Sequence, residues 1–152
     1  MTAKDYLRRL IDIDQDIQDY QDEILRIRTG IEKITPQLSG MPMGTPDPDK
    51  ISVKLDGLIM WENKLNDAID EACRLKAEAM DLMEFVADET MRRILKKRYI
   101  YGKPFTLISV EMSYEYYWTC QLHGRALMAF GGVLKQHKQT QVKMSYNETV
   151  EL

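Results

Sequence analysis

Apolar positions recur along the first part of the chain with a regularity that decides its secondary structure. Tyr6, Leu10, Ile13, Ile17, Tyr20, Ile24, Ile27, Ile31 and Ile34 follow one another by alternating steps of four and three residues. Such a heptad repeat lays one narrow apolar seam along a helix, about 42 Å long at 1.5 Å per residue. The positions between are mostly charged or amide, as in Asp12, Asp14, Gln15, Asp16, Gln18 and Asp19. Thr2 is placed to cap the first turn, and Asp5 suits the positive end of the helix. Gly30 is the one weak helix former inside the run, at a cost of about 1 kcal/mol relative to alanine. Thr35-Pro36 should stop the helix.

The next segment, 36–50, holds four of the five prolines and two glycines, a density that predicts a loop. A second seam follows through Leu58, Trp61, Leu65, Ala68, Ala72, Leu75, Ala79, Leu82 and Val86, with Ile51 and Leu55 extending it backwards. Two seams of equal length joined by one loop predict an antiparallel, coiled-coil-like hairpin over residues 1–86, with helices near 3–34 and 51–86. The alanines of the second seam can receive the isoleucines and tyrosines of the first. Its role is structural, or it offers a surface to a second copy or another protein. A homodimer follows if the seam is not consumed within one chain.

The C-terminal half is patterned differently. Asp88 resembles an N-cap for a helix through MRRILKKRYIYGK, which Gly102 and Pro104 should end. Beyond it, a short helix near Thr106–Met112, a turn at Ser113-Tyr114 and a longer helix from about Glu115 would make a helix-turn-helix. Ile108, Met112, Tyr114, Leu122, Ala126 and Leu127 are candidates for its core. The expected organisation is therefore all-α, with a hairpin over 1–86, a helix-turn-helix domain over 87–130 and a flexible polar tail over 131–152.

Charge separates the same two halves. Residues 1–86 carry 11 basic against 18 acidic groups, whereas residues 87–130 carry seven against four, within a total of −3. Arg92, Arg93, Lys96, Lys97, Arg98 and Lys103 fall within twelve residues that hold no acid. They form either a solvated helix face or a surface for phosphate. Cys73 and Cys120 lie far apart, which disfavours a disulfide scaffold or a zinc site. His123 reads as a helix surface or interface group, and His137 has no cluster around it. No apolar run reaches the ~20 residues of a membrane span, and no signal-peptide core or catalytic motif is evident. The expectation is a cytoplasmic, non-enzymatic protein without cofactor or metal.

The stretch RYIYGKPFTLISVEMSYEYYWTCQLHGRAL resembles the promoter-reading helix-turn-helix of bacterial sigma factors. It is most similar to the RinA/ArpU-like phage transcriptional regulators, which carry a comparable RY-x-x-GK…M-x-Y-x-x-x-W-x-x-x-LHGRAL pattern. Ile108, Met112, Tyr114 and Leu122 stand at apolar positions of that motif, and Ser109 at a small one. Ser113 replaces the usual turn glycine, Thr119 a usually aliphatic core residue, and Glu115 a serine-like cap. The likeness is strong over about 40 residues and extends to the hairpin only in general layout.

The resemblance implies a sequence-specific regulator of a phage or mobile element that binds double-stranded DNA. Contact with host RNA polymerase is expected with it, late-gene activation being one mode and repression the other. Tyr116, Tyr117, Cys120 and Gln121 would then read bases, Gln121 being able to bond two edges of an adenine. Lys103, Thr106 and Arg125 would hold the phosphate backbone, with Arg92, Arg93, Lys96 and Lys97 as further contacts. The aromatic cluster can instead be packing. Trp118 is expected inside and Tyr117 outside, while Glu115 either caps the helix or repels phosphate. Two other readings remain: a small terminase-like protein that recognises viral DNA for packaging, and a coiled-coil adaptor that binds no DNA.

Overall fold

A computed structural model describes residues 1–34 and 47–150, and these are all-helical, with a long N-terminal helix pair. Helix α1 spans Ala3–Ile34, α2 Pro48–Met83, α3 Glu89–Leu95, α4 Phe105–Met112 and α5 Tyr116–Val150. A π-helical turn, Lys96–Ile100, continues α3.

The expected caps are present. The Thr2 hydroxyl accepts from the Asp5 amide at 3.1 Å, and an Asp5 carboxylate oxygen accepts from the Thr2 amide at 3.1 Å. This reciprocal box satisfies the first turn of α1 and holds the Asp5 carboxyl below its usual range. The Asp88 carboxylate accepts from the Met91 amide at 3.0 Å and starts α3.

Helix α2 begins three residues before the expected position 51. Pro48 occupies a first-turn position, where its fixed φ suits a helix and no N–H is required. The Asp47 carboxylate accepts from the Asp49 amide at 3.1 Å. The same helix ends at Met83 instead of 86. Tight bonds from the Phe85 amide to the Leu82 carbonyl and from Val86 to Met83 close its end. Of the expected loop 36–50, residues 36–46 lie outside the described residues, and 48–50 belong to α2.

The chain forms two compact units, and the boundary falls inside the long helices. One unit is Ile13–Cys73. Within it α1 and α2 run antiparallel: Tyr20 and Trp61 place their rings 5.7 Å apart, while Gly30 meets the Lys54 side chain further along α1. Arg28 pairs with Glu62 at 2.6 Å. All of the first seam in this unit is buried or half-buried, whereas Leu55, expected on the second seam, is exposed. Lys54 takes the place beside Gly30.

The other unit joins Met1–Asp12 to Arg74–Leu152. Its core contains Leu7, Leu10, Met83, Val86, Ile94, Leu95, Ile108 and Phe130. Phe130 lies against Tyr6, with ring centroids 5.8 Å apart, and the Tyr6 hydroxyl donates to Glu78 at 2.8 Å. Burial and that carboxylate both push the Tyr6 phenol up. Residues 131–150, expected as a flexible tail, continue α5 to Val150. Phe130 and Leu134 anchor this continuation by burial, and a Cβ on Gly131 would lie 3.7 Å from that of Ala3.

Candidate nucleic-acid interface

The connection between α4 and α5 carries the local geometry on which the candidate interface depends. Ser113 ends α4 in the left-handed region, at φ 57° and ψ 38°. The Tyr114 amide then reaches back to the Ser109 carbonyl at 2.9 Å, and the Ser113 amide to Val110 at 3.2 Å. This six-to-one closure satisfies the last carbonyls of α4 and usually employs glycine. Serine holds it here with a strain of about 1–2 kcal/mol.

Around the turn, Ile108, Leu122 and Ala126 are buried, as is small Ser109. Ser109 satisfies its hydroxyl by donating to the Thr106 carbonyl at 2.7 Å. Thr119 is fully buried. Its hydroxyl donates to the Glu115 carbonyl at 3.0 Å, so the polar group is not stranded. Met112 and Leu127 are half-buried. Tyr114, expected in the core, retains 39% exposure. It follows the left-handed residue, and the reversal of the chain carries it outward.

The first two turns of α5 expose Tyr116, Tyr117 and Gln121, with Cys120 half-buried beside them. Tyr117 and Gln121 are four residues apart and stack on one face, opposite the buried stripe of Thr119, Leu122 and Ala126. Tyr116 and Cys120 form a neighbouring pair, in which the thiol raises the phenol pKa. Trp118, expected as packing, is 38% exposed, and the Arg125 guanidinium lies 5.1 Å from its ring centre. The aromatic cluster is therefore largely a surface. Only Tyr116, Tyr117 and Trp118 lie in α5, and the 100° step per residue brings Thr119, not an aromatic ring, to the buried side.

The cations of the basic run are mostly engaged within the protein. Arg92 donates to the Val86 carbonyl at 2.6 Å and the Ala87 carbonyl at 3.3 Å, bracing the α2–α3 connection. Arg93 pairs with Glu89 at 2.7 Å, and Lys96 with Glu84 at 2.5 Å. Lys97 and Lys103 converge on Glu111 at 2.6 and 2.7 Å, and their hydrogen bonds lower its carboxyl pKa. Thr106 stands exposed in the first turn of α4. Arg125 has no ion pair among the described residues. Such surface pairs contribute only about 0–1 kcal/mol each, so an incoming phosphate can exchange for Glu84, Glu89 or Glu111. The long-range partners Glu84 and Glu111 carry no sequence signal; only Glu89, four residues before Arg93, could have been paired from spacing.

His123 lies on the side of α5 away from Tyr117 and Gln121. Its Nε2 lies 2.9 Å from the Tyr99 hydroxyl, and its ring meets Phe105 edge-on with centroids 4.8 Å apart. Burial lowers its pKa to about 4, with Arg98 and Lys4 adding to the effect, so the imidazole is neutral at pH 7. Among the described residues no group of three or more His, Cys, Asp or Glu side chains is arranged to hold a metal ion. No described helix is long and apolar enough to cross a membrane.

Comparison with known proteins returns no matching family model, no matching curated protein and no matching solved structure.

Proposed function

We propose that this chain is a sequence-specific DNA-binding transcriptional regulator of the phage or mobile-element type, without enzymatic activity. The observation that carries the reading is the left-handed Ser113 turn joining α4 to α5, with Tyr117 and Gln121 exposed on the first turns of the second helix. A helix presented in this way can enter a major groove with its N-terminal residues against base edges. Gln121 serves as the principal discriminating group and Tyr117 as an apolar contact to thymine methyls. Tyr116 and Cys120 line the side of the same contact. Arg125 and Thr106 attach to phosphates, joined by Lys103 and Lys97 once Glu111 yields them, and by Arg93 and Lys96 in the same way. Arg92 acts chiefly as a brace. Contact with host RNA polymerase and pairing of two copies on the DNA complete the proposal.

Binding-site selection followed by anisotropy titrations at several salt concentrations tests it. A good bidentate base contact contributes roughly 1–3 kcal/mol of discrimination, so Gln121→Ala should flatten the sequence preference. Arg125→Ala should instead weaken binding to every duplex and reduce the salt slope by about one unit. Equal affinity of the wild type for all duplexes, or binding that ignores salt, overturns the reading and leaves the helical adaptor. Selection of a packaging-type site without any effect on transcription favours the terminase-like alternative.

A further inference from the structure

A cleft of about 470 Å³ lies on the side of the helix-turn-helix away from Tyr117 and Gln121, between the start of α1 and the π-helical turn. Its size falls within the ~300–1,000 Å³ of ordinary small-molecule sites. All of its lining belongs to the unit formed by Met1–Asp12 and Arg74–Leu152.

Three cations border this cleft. Lys4 and Arg8 are one helical turn apart in α1, and neither has an ion pair among the described residues. Arg98 comes from the π-helical turn. Its position is fixed, because it donates to the Lys103 carbonyl at 3.1 Å and rests on Phe105 at 4.8 Å. The one carboxylate in the lining is Asp12, so the side chains sum to a charge of +2. Lys96, Lys97 and Lys103 have carboxylate partners, whereas Lys4 and Arg8 have none among the described residues.

The remaining wall is neutral and aromatic, built from ring edges and not from one plane. Phe105 and His123 meet edge to face, the Tyr99 hydroxyl is joined to the imidazole, and Ile11 adds an aliphatic edge. An occupant must therefore bring negative charge to one end and a ring to the other. A phosphomonoester carries about −1.5 to −2 at neutral pH, which matches the cations, and the ring of a base can pack against the Phe105 and His123 side chains. We infer that this cleft binds a small ring-bearing phosphomonoester of the nucleoside monophosphate class, as an effector site separate from the DNA-reading face.

The test is calorimetric titration of the full chain with adenosine monophosphate, adenosine and inorganic phosphate. The Lys4→Gln/Arg8→Gln variant and Lys4→Gln alone are titrated alongside, each first checked for an unchanged helical spectrum and melt. Both side chains are exposed, so folding should persist. The expected result is saturable, salt-sensitive binding of the monophosphate, no binding of adenosine, and weaker binding of phosphate. Loss of two charged contacts should lower the affinity roughly tenfold or more, with the single variant between. No saturable binding of the monophosphate at millimolar concentration overturns the inference. So does binding that the double variant leaves unchanged, or phosphate binding as tight as the nucleotide. Duplex DNA titrated into the same variant separates the two sources of phosphate. Unchanged duplex affinity supports an effector site, whereas a loss parallel to that of the nucleotide assigns Lys4 and Arg8 to the DNA backbone and overturns it.

Discussion

Phe130 and Ile24 are both large apolar residues on long helices, and they sit in differently built surroundings. Phe130 is fully buried and shares its unit with Leu7, Leu10, Met83, Ile94, Leu95 and Ile108, each at most 1% exposed. Ile24 keeps 7% exposure, and Ala72 is the other buried residue of Ile13–Cys73 among the described residues. The same heptad pattern runs through both units. In residues 13–73 two helices shield one face of each other, and most seam positions stay half-exposed. In the other unit three further helices add layers, so that side chains are enclosed on every side. A seam alone selects a neighbour; only a third layer makes a core.

This contrast can be broken at its strongest point first. Phe130→Ala leaves a cavity in a unit that cannot easily collapse, and should cost about 3–5 kcal/mol in chemical denaturation. A loss below 1 kcal/mol would remove the distinction between the units. Ile24→Asp places a carboxylate in the thinner layer, where partial exposure relieves part of the desolvation, and should cost roughly 2–3 kcal/mol. Hydrogen exchange should locate its effect in residues 13–73, with amides around Ile94 and Ile108 protected as before. Equal acceleration throughout would mean that the two units unfold as one.

Acid sharpens the comparison, because the buried imidazole belongs to the thicker unit. The folded pKa of His123 is lowered from 6.5 to about 4. The unfolded chain therefore binds the proton first, and stability is full above 6.5 and declines as the pH falls toward 4. The loss should be of the order of 1–3 kcal/mol after allowance for solvent screening. His123→Asn should flatten that part of the profile, as measured by urea midpoints between pH 7 and 4; an identical slope in the variant would assign the acid sensitivity elsewhere. The smallest effect is a gain. Ser113→Gly relieves the left-handed strain at φ 57°, offset by the entropy of a freer unfolded chain, and should stabilise by about 0.5–1 kcal/mol. A destabilised variant would show that the Ser113 side chain contributes more than its strain costs.

The amino-acid sequence by itself determined the helices, because their signals are local. The seam of α1, the Thr2–Asp5 cap, the Asp88 cap, Gly102 at φ 64° and the turn after Met112 all depend on residues within one or two turns of each other. It also put Tyr117 and Gln121 on an exposed face, since opposition to Leu122 and Ala126 follows from helical period. What lay beyond it depends on contacts between distant residues. The unit boundary inside α1 and α2, the full burial of Leu7 off the seam, and the helix that carries Gly131 past Ala3 each required another element to arrive. Charge partners were equally hidden. Twelve residues without an acid read as a free cationic face, yet Glu84 and Glu111 come from α2's end and α4 to occupy it. Lys4 and Arg8, two cations in the acidic half, are without an ion pair among the described residues. Helical period acts over a few residues along one chain segment, whereas burial and electrostatics act through space, and only the tertiary structure decides which segments meet.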